Sequence, residues 1–312
     1  MKYLYLLVVL GVLVVFPKKV SADGLSLGVY PPLVQIEANP GVLVKTPIII
    51  QNLGDNTVNL QISLKPFTTS SKENGEIEYP TDSISKELEA IFKKIQILDK
   101  DEPIENITLS PKQRKTINLK IDLAKDDITS DYYFSIIFIS NPELSSGIKN
   151  NLTTTSAGIA SNIILSVGKK DKPKGIIEEF FASSFLEKGP VVFKVRVKNT
   201  GSSVITPKGI ILIKNMFNQT VGKVDLLPVN ILAQTTRKIP DSSTLNFSEA
   251  IWPESFLLGA YTATLNISLS EEGPVFSRTI RFFGFPTQLA VGVFIAIAIV
   301  LTIRNRIKSR LS

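Results

Sequence analysis

Pro47-Ile48-Ile49-Ile50-Gln51-Asn52-Leu53-Gly54-Asp55-Asn56-Thr57-Val58 comes back, in pattern, as Phe193-Lys194-Val195-Arg196-Val197-Lys198-Asn199-Thr200-Gly201-Ser202-Ser203-Val204. In each stretch apolar residues alternate into Asn-x-Gly, and a valine resumes shortly after. The pattern reads as a strand that packs one face, a turn whose glycine takes positive φ, and a partner strand. Downstream, each half carries a tyrosine that enters an apolar strand. These are Tyr132 in Ser130-Asp131-Tyr132-Tyr133-Phe134-Ser135-Ile136 and Tyr261 in Gly259-Ala260-Tyr261-Thr262-Ala263. A tyrosine so placed, with its hydroxyl tied to nearby backbone, makes a corner of immunoglobulin-like sandwiches. The same order in both halves predicts an all-β fold of two tandem immunoglobulin-like antiparallel β-sandwiches.

The remaining chain is consistent with that expectation. Residues 23–66 alternate at period two, punctuated by Pro31-Pro32, Asn39-Pro40-Gly41 and Gly54-Asp55-Asn56. Residues 68–83 are polar around an Asn-Gly step and read as a long hairpin or excursion. Leu88, Ile91, Phe92 and Ile95 have helical spacing, so a short helix is expected over 85–95. Strands are predicted over 104–109, 115–123, 132–139 and 159–167, with a flexible polar loop at 141–156. After the charged, Pro- and Gly-containing stretch 168–175, strands are predicted over 176–181, 191–199, 209–214, 222–225, 235–240, 260–269 and 275–281. The expected organisation is a first sandwich over 23–168, a linker at 169–175 and a second sandwich over 176–281.

Both ends are greasy and flanked by cations. Residues 1–22 read as a signal peptide: Lys2, the apolar run 3–16, and Val20-Ser21-Ala22 before Asp23. An uncleaved N-terminal anchor is the alternative. Residues 282–303 carry no charge and are followed by Arg304, Arg306, Lys308 and Arg310. At about 1.5 Å per residue they are long enough for a hydrocarbon core of about 30 Å. A single-pass cell-membrane protein is expected, with 23–281 outside and a basic tail, 304–312, in the cytoplasm. A buried core helix is the competing reading. Seven of the 35 Lys and Arg lie in the two ends, which leaves 28 to balance 28 Asp and Glu. The net charge of +7 therefore belongs to the termini and is no nucleic-acid footprint.

Cysteine and histidine are absent. A disulfide framework, a Ser-His-Asp triad, a cysteine nucleophile and any His- or Cys-ligated metal are excluded. Asp122, Asp126, Asp127 and Asp131 fall close enough for a calcium site but lack any calcium-loop spacing and read as a solvated turn. Asp99, Asp101 and Glu102 form a weaker group. Paired carboxylates for glycoside hydrolysis lack an aromatic-lined cleft in a chain with one Trp. No catalytic residue, cofactor or metal is assigned. Glycosylation sequons stand at Asn106, Asn151, Asn218, Asn246 and Asn266.

With Val29-Tyr30-Pro31-Pro32, Asn39-Pro40-Gly41, the IIIQNLGD run, Asn74-Gly75-Glu76-Ile77-Glu78-Tyr79 and Leu109-Ser110-Pro111, the chain resembles the WxL-interacting protein family and related bacterial surface proteins. Leu227–Leu232 with Arg237, and LGAYTATLNIS, extend the resemblance into the second half. It implies two immunoglobulin-like domains on a C-terminal anchor, with a cell-wall polymer or a surface protein as partner. The expected function is a non-enzymatic surface binding or scaffold protein. The alternative is an assembly chaperone that lends a strand to exported subunits, which a bare sheet edge in the first domain would favour.

Overall fold

A computed structural model describes residues 26–81, 84–140, 157–169, 172–243, 249–270 and 273–311. The expected signal peptide, the loop 141–156 and part of the linker 169–175 lie outside the described residues. The N-terminal half runs β1 (Leu27–Tyr30), β2 (Leu33–Ala38), β3 (Leu43–Asn52), β4 (Val58–Pro66), β5 (Thr68–Thr69), β6 (Ile77–Glu78), α1 (Lys86–Phe92) and β7 (Ile95–Asp99). It continues with β8 (Glu102–Pro103), β9 (Asn106–Leu109), β10 (Arg114–Asp122), β11 (Ser130–Ser140) and β12 (Gly158–Val167). One sheet has the order β1-β3-β10-β7-β8 and the other β2-β12-β11-β4-β9. Alternate residues of both turn inward, including Ile48 and Ile50, Ile117 and Leu119, and Phe134 and Phe138, and form one shared core. That is a two-sheet sandwich.

The C-terminal half runs β13 (Gly175–Phe181), β14 (Phe185–Leu186), β15 (Val191–Asn199), β16 (Lys208–Asn215), β17 (Thr220–Asp225), β18 (Thr236–Lys238), β19 (Ala250–Trp252), β20 (Gly259–Ser268) and β21 (Val275–Gly284). Its sheets are β13-β15-β18, with β19 also on β15, and β14-β21-β20-β16-β17. They enclose a second core around Phe193, Val195, Ile211, Trp252 and Leu265. The two halves share a plan. In each, the first strand pairs antiparallel in one sheet (β1 with β3, β13 with β15). The chain then crosses to the other sheet and pairs in parallel with its last strand (β2 with β12, β14 with β21).

The Asn-x-Gly echo is real, but its device is not the expected one. Gly54 and Gly201 are not among the glycines at positive φ. The work is done by the fully buried asparagines. Asn52 Nδ2 donates to the carbonyls of Asn56, Leu109 and Ser110 at 2.7, 3.2 and 3.0 Å, and its Oδ1 accepts the Gly54 N–H at 2.9 Å. Asn199 repeats this bond for bond, donating to Ser203, Ile231 and Leu232 at 2.8, 3.0 and 3.1 Å and accepting the Gly201 N–H at 2.9 Å. Glycine is suited to both sites because a Cβ would crowd the asparagine Oδ1, at 3.3 Å from Gly54 and 3.2 Å from Gly201. The tyrosine corners hold as read. Tyr132 donates to Ile128 O at 3.2 Å, and Tyr261 accepts the Leu258 N–H at 3.1 Å.

The short helix is shorter than its periodicity suggests. Ser85 caps it by accepting the Leu88 N–H, and it ends at Phe92. Ile95 instead opens β7 and faces Ile121 across the ladder. The chain's end calls for a larger correction. Phe282, Phe283 and Gly284 do not begin a helix; they finish β21 opposite Tyr261, Ala260 and Gly259. The helix α2 (Thr287–Leu311) starts only after Pro286, and its backbone stays helical through most of the expected tail. With Phe282–Gly284 in the strand, the uncharged helical stretch runs only from Thr287 to Ile303, about 26 Å at about 1.5 Å per residue against a hydrocarbon core of about 30 Å. Among the described residues no helix is long and apolar enough to cross a membrane. The expectation of a single-pass cell-membrane protein, with the membrane as a partner, 23–281 outside and 304–312 in the cytoplasm, is overturned.

Candidate functional site

The polar stretch 68–81 does form a hairpin, β5 against β6, and it leaves its own half to dock on the other. Ser70 and Glu76 close it backbone to backbone, and Ser70 Oγ donates to Glu78. At its tip Glu73, at φ 56°, receives Arg196 Nε and Nη2 at 2.7 Å each, a two-pronged pair. Arg196 also meets Glu178 at 3.1 Å and Glu179 at 3.7 Å. The Arg196 hydrogen bonds hold the Glu73 carboxyl below the usual carboxylate range. The Lys238 N–H donates to Glu73 O at 2.8 Å, so the tip also extends the edge of β18.

A second seam lies beside the hairpin. Phe67, Ile164 and Leu232 are buried together, with Ile77, Tyr133 and Val204 against them. The Tyr133 hydroxyl accepts the Ala233 N–H at 3.2 Å and donates to Asp131, whose carboxylate also takes the Val204 N–H at 2.5 Å. Burial pushes the Tyr133 hydroxyl well above the usual tyrosine value, so it stays protonated and able to donate.

Between hairpin and seam the halves enclose a pocket of about 310 Å³. Leu33, Asn162 and Ile164 of the first half's sheet, Thr69, Gly75 and Ile77 of the hairpin, and Pro228–Asn230, Leu232 and Arg237 of the second half line it. Gly75 sits at φ 91°, and a Cβ there would fall 2.0 Å from Arg237 Nη2, so the guanidinium lies directly on the hairpin backbone. Arg237 Nη1 donates to Asn230 O at 2.6 Å, while Nε is buried and meets no acceptor. The lining contains no carboxylate, so the pocket cannot run two-acid chemistry.

The pocket opens onto a sheet edge. β2 ends its sheet, with β12 on one side and no strand among the described residues on the other. The Asn162 N–H donates to Pro32 O, and the Gly168 N–H to Ala38 O. In a parallel ladder alternate residues bond inward, so Leu33 and Gln35 turn their N–H and C=O to the open side. Leu33 is thus both pocket wall and start of a six-residue edge.

The acidic residues weighed in the sequence are dispersed into structural roles. Asp127 pairs with Lys94 and accepts the Ala124 N–H, while Asp131 bonds across the seam. Asp99 pairs with Lys115 at 2.6 Å, and Asp101 with Lys45. Among the described residues no group of three or more such side chains could hold a metal ion. Of the sequons, Asn106, Asn218 and Asn266 lie on β9, the β16–β17 turn and β20; Asn151 and Asn246 lie outside the described residues. The sequence marks Arg237, central to the cleft, only within the resemblance, because its place depends on contacts with residues as distant in the chain as Gly75 and Leu33.

No family model and no curated protein matches the chain. Among solved structures it is similar to the class 5 fimbriae chaperone CfaA, at 13% identity over 81% of this chain and 98% of that one, with a TM-score of 0.39. It is also similar to a chain of the Salmonella enterica SafA pilin–SafB chaperone complex, at 11% identity over 83% and 99%, with a TM-score of 0.36. Both likenesses are distant, and the sheets and site described above stand on this chain's own geometry.

Proposed function

We propose that this chain is a non-catalytic binding protein that captures an extended segment of a protein partner as an added strand on β2, in the manner of an assembly chaperone. The observation that carries this reading is the open six-residue edge of β2 beside the cleft, not the distant likeness to solved chaperones. An added strand gains main-chain hydrogen bonds whatever its sequence, and a neighbouring pocket supplies selectivity. Residues 23–168 and 176–281 act in this reading as two units, joined by the docked hairpin. A cell-wall polymer as ligand gets less support: sugar rings are gripped by flat aromatic faces, and the only ring in the cleft lining is the buried Phe67.

The test is a panel of extended peptides against the full chain and its Gln35→Pro variant. Proline removes an outward N–H of β2 without touching the inward ladder to β12. Binders should weaken at least tenfold. Peptide binding indifferent to Gln35→Pro, or capture of wall polymer but of no peptide, would refute the reading.

A further inference from the structure

The tip of the docked hairpin carries the one Asn-Gly step of the chain, Asn74-Gly75. A turn can use Asn-Gly for its backbone shape alone. Here the surroundings bear on chemistry as well. Gly75 stands at φ 91°, and the Arg237 guanidinium lies so close that a Cβ would fall 2.0 Å from Nη2 and 2.5 Å from Cζ. Arg196 is paired with Glu73, but Arg237 is half-buried and pairs with no carboxylate among the described residues. On the other side, the Glu76 N–H donates to Asn74 Oδ1 at 3.1 Å.

We propose that Asn74-Gly75 is a self-modifying site, at which the Asn74 amide closes on the Gly75 nitrogen, loses ammonia and reopens as aspartate or isoaspartate, and that the isoaspartate form releases the hairpin from the second half. Hydroxide takes the Gly75 amide proton, and the nitrogen bonds to Asn74 Cγ. The Cγ–Nδ2 bond breaks, and Nδ2 leaves as ammonia after taking a proton from water. Water then opens the succinimide ring in one of two ways. Breaking the new bond to Cγ gives aspartate on an unaltered backbone. Breaking the bond from Gly75 N to the Asn74 carbonyl carbon gives isoaspartate, with the chain running through Cγ. Negative charge develops first on the Gly75 nitrogen, beside a guanidinium that no carboxylate neutralises. It then moves to Oδ1, where the Glu76 N–H already points. Isoaspartate adds a methylene to the main chain between two anchored residues. Glu73 is held by Arg196 and by the Lys238 N–H, and Gly75 rests on Arg237. The lengthened tip cannot keep both anchors, so the latch loosens. Gly75 and Ile77 wall the cleft, so its release opens the pocket. The inference does not depend on strand capture by β2.

Incubation of the full chain near neutral pH tests it. Peptide mapping by mass spectrometry follows the conversion of amide to acid, and isoaspartate-specific methylation separates the products. A free peptide of residues 70–79 is the unstructured reference. Asn74 should convert at least threefold faster in the folded chain than in that peptide. Arg237→Lys should keep part of the acceleration, and Arg237→Gln should abolish it. No conversion at Asn74, or conversion no faster than in the peptide, overturns the site on the unaltered chain, whatever the variants do. In the isoaspartate product, amide exchange at Ser70, Glu73 and Lys238 should be at least tenfold faster than in the starting chain. Asn74→Asp, which puts the charge on an unaltered backbone, should keep most of that protection. An isoaspartate product with those amides still protected overturns the release.

Discussion

The two halves are built to one plan, and they differ most where that plan reaches the solvent. In the first half the crossing strand β2 pairs with β12 over six positions and leaves a long open edge. In the second its counterpart β14 has two residues, and Phe185 there stacks on Phe283, which stacks on Phe285. One copy offers a backbone template, and the other closes its edge with rings, one of the ways sheets avoid unwanted pairing. The interiors diverge far less: both keep the buried asparagine and the corner tyrosine. The repeat thus fixes the scaffold, and in the strand-capture reading the length of one edge strand decides where a partner can add.

The largest expected effect separates the two asparagine cradles. Three of the four Asn199 bonds are fully buried, against one of four for Asn52. Water can therefore repair more of the damage at Asn52. Asn199→Ala should cost about 4 kcal/mol and Asn52→Ala about 2 kcal/mol, since each unsatisfied buried polar group costs roughly 1–3 kcal/mol. Denaturant unfolding checks both, and equal costs would break the asymmetry.

Next comes the edge. Gln35→Pro should change stability by less than about 0.5 kcal/mol, as expected for a surface site outside the ladder. The same variant should lower peptide affinity at least tenfold. A large stability loss with unchanged binding would mean that β2 is structural and not a docking edge.

The tyrosine corners sharpen the comparison further. Tyr261→Phe strands the Leu258 N–H, whereas Tyr132→Phe strands the Ile128 carbonyl, both at exposed residues. Orphaned N–H groups are tolerated less well than carbonyls with a spare lone pair. Tyr261→Phe should cost about 1.5 kcal/mol and Tyr132→Phe under about 1 kcal/mol. Thermal unfolding of the two variants side by side reads the difference.

Which of these features the sequence shows follows from how local each one is. The corners are legible because hydroxyl and partner lie three or four residues apart. The Asn-x-Gly turns are legible as turns, but the glycine is the visible half of the device. The asparagine's bonds to Ser110 and Leu232 cross the sandwich and leave no local trace. Ile95 fits a helical period as well as it starts β7, and β14 and β19 are too short to show periodicity. Phe282 looks like the head of an apolar helix because a buried strand and a greasy helix share composition where they abut. The cleft was illegible outright: Leu33, Gly75 and Arg237 meet only after both halves have folded.

The smallest effect is the pH response of the hairpin latch, and it bears on the same contrast between the paired and the unpaired arginine. Hydrogen bonds from Arg196 lower the Glu73 pKa below its ordinary value near 4.5. A depressed folded value means that the docked state binds its proton less readily than the undocked state. The latch therefore contributes fully above about pH 4.5 and weakens as pH falls through the lowered value. Amide exchange at Ser70, Glu73 and Lys238, whose N–H groups close the hairpin or join it to β18, should accelerate in that window. Glu73→Gln should show the faster exchange already at neutral pH and lose the acid dependence. Arg237→Gln should leave the acid response of these amides unchanged, because among the described residues no carboxylate pairs with that guanidinium. An acid response that survives Glu73→Gln would move the latch to another group and leave Arg196 without its assigned role.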